Sequence, residues 1–492
     1  MSTNVISVDA IPAGDNSLRV APTHFEFAAS KNMVARAVRV SGAIVFGSLL
    51  FLIVLVAVPY GTVEAWWISL FECAVFTLGG IWIGERLLQG SWNLEDKALL
   101  APLLALTGFI FLQSLTLPGA RPAISADPYE TRLLFLKMLA LAVTFVLLSS
   151  YLSTPRRLHL AIHTILFIAV VSALFGIARQ ALQTSDVGFI LPYLKRDSGF
   201  GQFVNKNHFA LLMEMAIGLA TGFIFGGGVK RNRILIYVAA IALLWTALIL
   251  TSSRGGLLSS LAQIVFLTVL LTVSPRKSGD PKQDRLQKHR PLRKLATAVA
   301  LGAGVLMIAA ISAIWLGGDL LVTRFEAVAG EIRAEAGGPH AGVKRREVWA
   351  ATAQLIKTHP IVGSGFGAFG IAITKFHDGS GKWTPEAAHN DYLELVAAGG
   401  LVGVSLVLWF AVVFVKRSRR QLACKGTLQR ATAIGSLTGI FGVMVHSSVD
   451  FGLHVTINAV VFICLIIFAT KNFQLETNDV NEASFVRQLT GE

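Results

Sequence analysis

An all-α, polytopic helix bundle, with about twelve transmembrane helices and one long helical loop on its outer side, is the fold class this sequence predicts. Three observations carry that expectation. Of 492 residues, 54% are hydrophobic and only 15% charged, where a soluble domain carries about 25% charged residues. Apolar runs of roughly 20 residues, the length a helix needs to cross ~30 Å of hydrocarbon, recur about twelve times. Lys and Arg are about three times as frequent in one alternate set of short connections as in the other, which sets the orientation.

The runs fall roughly at 38–60, 65–84, 98–117, 133–152, 159–178, 207–226, 234–252, 257–274, 295–316, 393–415, 431–449 and 454–470. Residues 1–37 then form a cytoplasmic tail, 38–316 the first nine helices and 317–392 an outer loop. Three more helices follow over 393–470, and 471–492 form a second cytoplasmic tail. The first 37 residues lack the pattern of a signal peptide, so the first span reads as an uncleaved helix. The net charge of +14 is concentrated in the inner loops, above all 275–294, which reads as disordered, and 416–430. It calls for no nucleic-acid partner and suits an anionic lipid surface. Cys73, Cys424 and Cys464 imply neither a disulfide framework nor a thiolate metal site.

Ionisable residues in or beside apolar spans mark function or pairing. Glu72 and Lys137 either pair with each other or, for Lys137, snorkel to a helix end. Asn205, Lys206, Asn207 and His208 gather polar groups where the sixth span begins, with Asn207 as its expected cap; interfacial anchoring is the plainer reading. Thr251-Ser252-Ser253-Arg254-Gly255-Gly256 joins two spans so tightly that Arg254 must lie at headgroup depth. A guanidinium at a helix start suits an anion, and snorkelling is the alternative. His446-Ser447-Ser448-Val449-Asp450 reads as a polar turn that could line the same cavity.

The outer loop predicts an amphipathic helix over 343–358, with Val348, Thr352 and Leu355 on one stripe and Arg345 one turn before Trp349. Arg345 or Arg346 would face a cavity or else solvent. Gly363-Ser364-Gly365-Phe366-Gly367 follows no strand and reads as a tight turn, not a dinucleotide fingerprint. Thr384-Pro385-Glu386 has the form of a helix start, which would put His389 in the second turn of the helix entering the bilayer. Asn390 and Asp391 stand next to it as possible substrate contacts, with side chains directed elsewhere on that helix.

These outer segments meet where the diphosphate of a polyprenyl-linked glycan would lie, its tail in the hydrocarbon. Transfer there requires cations on the departing diphosphate and a base for the attacking hydroxyl. Arg254 and Arg345 suit the first task and His389 the second. The sequence has no Walker A run, no HExxH and no D-x-D, so no cofactor or metal is expected.

Five stretches, in this order, resemble the bacterial O-antigen ligase and O-antigen (exopolysaccharide) polymerase superfamily over roughly 198–415. They are Phe203-Val204-Asn205-Lys206-Asn207-His208-Phe209-Ala210, Ser253-Arg254-Gly255-Gly256, Arg345 with Trp349 ahead of His359-Pro360, His389-Asn390-Asp391-Tyr392-Leu393-Glu394, and Gly400-Leu401-Val402-Gly403. The resemblance implies a metal-independent inverting glycosyltransferase of the inner membrane, active on its periplasmic face. Its donor would be an undecaprenyl-diphosphate-linked glycan. The acceptor would be lipid A core for a ligase, or another lipid-linked glycan for a polymerase. Other envelope polysaccharide export proteins are expected partners. By the same resemblance Arg254 and an arginine of the loop, Arg345 or Arg346, bind diphosphate, and His389 acts at the acceptor hydroxyl. A twelve-helix solute transporter and an envelope scaffold are the competing readings from composition alone.

Overall fold

The computed structural model describes residues 24–90, 92, 94–116, 124–183, 191, 194, 199–273, 345–377, 385–424 and 426–472, with the side chains of all but 24–35 and 273. The predicted ninth span at 295–316, the basic loop 275–294 and the loop up to residue 344 lie outside these residues. The described chain is helical: α1 (His24–Ala57), α2 (Ala65–Gln89), α3 (Lys97–Gln113), α4 (Pro128–Tyr151), α5 (Pro155–Leu182), α6 (Lys206–Phe225), α7 (Ile234–Leu250), α8 (Arg254–Val273), α9 (Arg345–Thr358), the short α10 (Phe369–Ala372), α11 (Asp391–Leu422), α12 (Thr427–His446) and α13 (Thr456–Thr470). Among the described residues nine helices are long and apolar enough to cross a membrane, and α3 and α13 are shorter apolar helices.

Local chemistry sets the helix starts. Asp127 accepts from Tyr129 N and Glu130 N ahead of α4, with Pro128 as its first residue. Thr154 accepts from Arg157 N ahead of α5, with Pro155 in the same role. At α6 the cap is Asn205, which accepts from Asn207 N at 2.9 Å, two residues before the predicted cap. Asn207 is drawn away by another partner, the Ser253 hydroxyl, which donates to its Oδ1 at 2.8 Å.

α6 lies at the centre of the bundle and α12 is its nearest neighbour. A Cβ on Gly218 would stand 2.5 Å from Gly439 N, and one on Gly222 would stand 2.2 Å from the Gly435 Cα. Small residues on both helices let the backbones touch, the usual packing device where lipid supplies no hydrophobic drive. This contact fixes the register of side chains further along the two helices.

α11 is broken. Gly400 has φ +57° and ψ −157°, and the segment 360–366 inserts at the break. Leu401 N donates to Pro360 O at 2.9 Å and Val402 N to Ile361 O at 3.0 Å, while Ser364 N and Gly365 N donate to the carbonyls of Ala397 and Ala398. Buried Gln113, at the end of α3, adds bonds from its amide to Val362 O and Ala398 O and accepts from Phe366 N. The backbone groups freed by the break are thus re-satisfied within protein, the condition for a non-helical segment at membrane depth. Only glycine suits position 400, since a Cβ would stand 2.5 Å from the Ile361 carbonyl. Gly400→Ala is expected to destabilise the fold by about 2 kcal/mol or more. A lowered unfolding temperature of the purified protein in detergent checks this.

Around this junction sits a second, smaller core, in which Val348, Ala351 and Leu355 of α9 pack on Phe369, Ile373 and Ala388. The predicted stripe of α9 is therefore its buried face, and Arg345 and Arg346 are exposed.

Candidate functional site

The site forms where the first residues of α6, α8 and α11 meet the turn after α12. His389 lies at its centre, but not within a helix. α11 begins at Asp391, and His389 precedes its cap with φ +52°. The Thr-Pro-Glu signal loses to two stronger bonds: Asn390 Oδ1 accepts from Tyr392 N at 3.0 Å and from Leu393 N at 3.1 Å. Glu394 reaches back to accept from Ala388 N at 3.1 Å. A left-handed conformation is unusual for a histidine, and such backbone clusters at functional sites.

The turn after α12 is stapled to this segment. Asn390 Nδ2 donates to Ser448 O at 2.8 Å, Asp391 N donates to Ser447 O at 2.9 Å, and the Ser447 hydroxyl donates to Asp391 Oδ2 at 2.6 Å. These bonds bring Asp450 Oδ1 to 3.3 Å from His389 Nδ1. Asp450 is 1% exposed and His389 39% exposed. Burial by itself would raise the Asp450 carboxyl. The hydrogen bond from His389 and the neighbouring imidazoles of His208, His446 and His389 outweigh it and hold the group below the ordinary carboxylate value. With Nδ1–H directed at Asp450, the neutral His389 ring offers its Nε2 lone pair to a second partner.

Three imidazoles surround one ring. His208, His389 and His454 each meet Phe451 edge-on, at centroid distances of 4.9, 4.9 and 5.6 Å. His208 is buried, with Nε2 3.4 Å from Asn205 Nδ2, and its backbone carbonyl accepts from Asn458. Lys206 opens α6 half-buried beside them. His454 Nε2 stands 3.8 Å from Asp391 Oδ1 and 3.5 Å from Glu394 Oε1. Lys137 lies within electrostatic reach of Glu72, and its ammonium donates to the His454 carbonyl at 2.6 Å, fixing the same turn from the α4 side.

The arginines approach from two sides. Exposed Arg254 is the first residue of α8, and the next residue, Gly255, sits against the site: a Cβ there would stand 3.2 Å from His446 Nε2. Arg345 and Arg346 open α9. One turn on, Trp349 Nε1 donates to Ala388 O at 2.9 Å, next to His389. No group of three His, Cys, Asp or Glu side chains among the described residues is arranged to hold a metal ion.

Sequence reasoning favoured a simple turn for His446–Asp450, with lining of the cavity as the alternative; the side chains take the alternative, Asp450 against His389 and His446 against Gly255. The available signal was an acid and a histidine four residues apart at the polar end of an apolar span. Glu214, a carboxylate within α6, was missed altogether, although an acid inside an apolar run is itself a signal.

Comparison with known proteins locates this arrangement. The family described as O-antigen ligase matches residues 239–408, a stretch that includes Arg254, Arg345, Arg346, His389, Asn390 and Asp391. A search of curated proteins found no match. Residues 239–408, about a third of the chain, are thus similar to the O-antigen ligase family.

Proposed function

We propose that this protein moves a glycan from a polyprenyl-diphosphate donor to a sugar hydroxyl on an acceptor, at the periplasmic face of the inner membrane. The observation that carries the reading is the imidazole of His389, left-handed, half-exposed and hydrogen-bonded through Nδ1 to a buried carboxylate. Such a ring is oriented to accept a proton at Nε2, and the carboxylate stabilises the imidazolium that results.

In the step itself the acceptor oxygen attacks the anomeric carbon of the donor sugar and gives its proton to His389. The bond from that carbon to the diphosphate oxygen breaks, and its electron pair leaves with the polyprenyl diphosphate. One displacement from the opposite face inverts the anomeric configuration. Arg254, with Arg345 or Arg346, balances the charge on the leaving group, which is a stable anion and needs no strong general acid. Asn205, Lys206, Asn207 and His208 line the start of α6 as further polar contacts, and Asn390 and Asp391 hold the turn that carries Asp450.

Purified protein in lipid vesicles, supplied with a polyprenyl-diphosphate glycan and an acceptor, is the direct test. One polyprenyl diphosphate should appear for each glycan moved, with the anomer inverted; absence of transfer with either class of acceptor would sink the reading. Lipid A core as the productive acceptor makes the protein a ligase, and a second lipid-linked glycan makes it a polymerase. Asp450→Asn keeps the shape of the turn but removes the charge facing His389. Its transfer rate should fall by about 10²–10⁴-fold, the range for losing an oriented acid–base group. Rates at matched protein levels in the same vesicles check it.

A further inference from the structure

Behind Asp450 lies a buried pair that the transfer step does not use. Glu214 is completely buried within α6, with Oε1 2.7 Å from His446 Nδ1. Its Oε2 accepts from the Ser259 hydroxyl of α8 at 2.5 Å, and Gln263 Nε2 donates to its backbone carbonyl at 3.1 Å. His446 Nε2 stands 3.9 Å from Asp450 Oδ2, and neither atom has a hydrogen-bond partner among the described residues. The line runs Ser259, Glu214, His446, Asp450, His389, drawn from α8, α6, α12 and the segments flanking α11 and α12.

An apolar pair of the same volume would pack here at lower desolvation cost, so simple cohesion does not account for these residues. His446 lies between the two buried carboxylates, 2.7 Å from Glu214 and 3.9 Å from Asp450, where a proton on its ring would offset the charge of both. The groups facing His446 are Glu214, Asp450, Asp391 and His208, with Arg254 beside Gly255 at the head of α8. Those facing Asp450 are His389, His208 and His446, with the carboxylates of Glu214 and Asp391 also within electrostatic reach. Asp450 therefore serves two imidazoles, one on each oxygen.

We propose that Glu214 and His446 are positioning residues for the transfer reaction, setting through Asp450 how tightly His389 holds the proton it accepts. Glu214 keeps the charge on His446, and that cation takes up part of the field of Asp450. His389 then remains a base that can release its proton after each turnover, where an undivided Asp450 would hold that proton more tightly. The inference rests on His389 acting as the base.

The test is the pH–rate profile of the full-length protein in vesicles, with polyprenyl-diphosphate glycan and acceptor, for wild type, Glu214→Gln, Glu214→Asp and His389→Ala. In Glu214→Gln the amide keeps the contacts with Ser259 and His446, but the charged pair is gone. Its acid limb is expected to move to higher pH by roughly 0.5–1 unit, the effect of removing a buried dipole whose cationic end adjoins Asp450. Glu214→Asp should return the limb toward wild type. A Glu214→Gln profile that superimposes on wild type overturns the proposal, since a packing role would lower the rate without moving the limb. If Glu214→Gln fails to insert, Glu214→Gln combined with His446→Gln leaves neither charge buried and should show the same shift. Failure of both to fold gives the pair a purely structural role and also overturns it. An active His389→Ala would instead refute the base assignment itself.

Discussion

Loss of the His389 imidazole is expected to reduce transfer by about 10²–10⁴-fold, the contribution of a positioned base, and to abolish high-molecular-weight surface polysaccharide in a complemented deletion strain. Its partly exposed position ahead of the helix cap keeps the fold largely out of the result: Asn390 still caps α11, and the staples to Ser447 and Ser448 remain. Alanine at φ +52° carries some strain, so His389→Asn is the cleaner variant. Asparagine tolerates a left-handed backbone and retains a donor that can address Asp450, but it has no basic nitrogen. Both variants should be inactive at wild-type levels in the membrane. Activity in the asparagine variant would mean that orientation alone, without a base, suffices.

Arg254→Ala is expected to lower kcat/KM for the lipid-linked donor by about 10²–10³-fold, the scale of removing one preorganised donor to a developing anion. The start of α8 should survive, because Ser253 caps it: its hydroxyl oxygen accepts from Gly256 N at 3.1 Å while its proton goes to Asn207. Arg254→Lys should recover part of the activity, since charge is kept and the planar two-bond grip on phosphate oxygens is lost. Initial rates across a series of donor concentrations check both. Equal loss from Arg254→Ala and Arg254→Lys would point to shape, not charge, at this position.

The described membrane helices were legible because each is a run of apolar residues, and such runs have few alternatives in lipid. The chemistry was legible only where polar residues interrupt the pattern at an edge, as at Arg254 and His389. Asp450 and His446 escaped because four polar residues after an apolar span read equally well as a turn; only the fold brings them against His389. The start of α11 was misjudged for a related reason. Thr384-Pro385-Glu386 and Asn390 are both capable of opening a helix, and the choice is made by bonds to Ser447 and Ser448, more than fifty residues along the chain. The glycines at 399, 400 and 403 announced a close approach. Nothing local announced that the partner would be loop 360–366 or that the helix would open to receive it.

The opening at Gly400 divides α11 into two mechanical parts. Above it, residues 391–399 are fastened to loop 360–366, Gln113 and the turn after α12; below it runs an exposed apolar shaft with Leu408, Trp409 and Val412, a surface suited to lipid. A thicker or thinner bilayer tilts the shaft, while the collar that holds the imidazole stays in register with its neighbours. Under the proposed function, the geometry of transfer is therefore expected to be insulated from the acyl-chain composition of the host membrane.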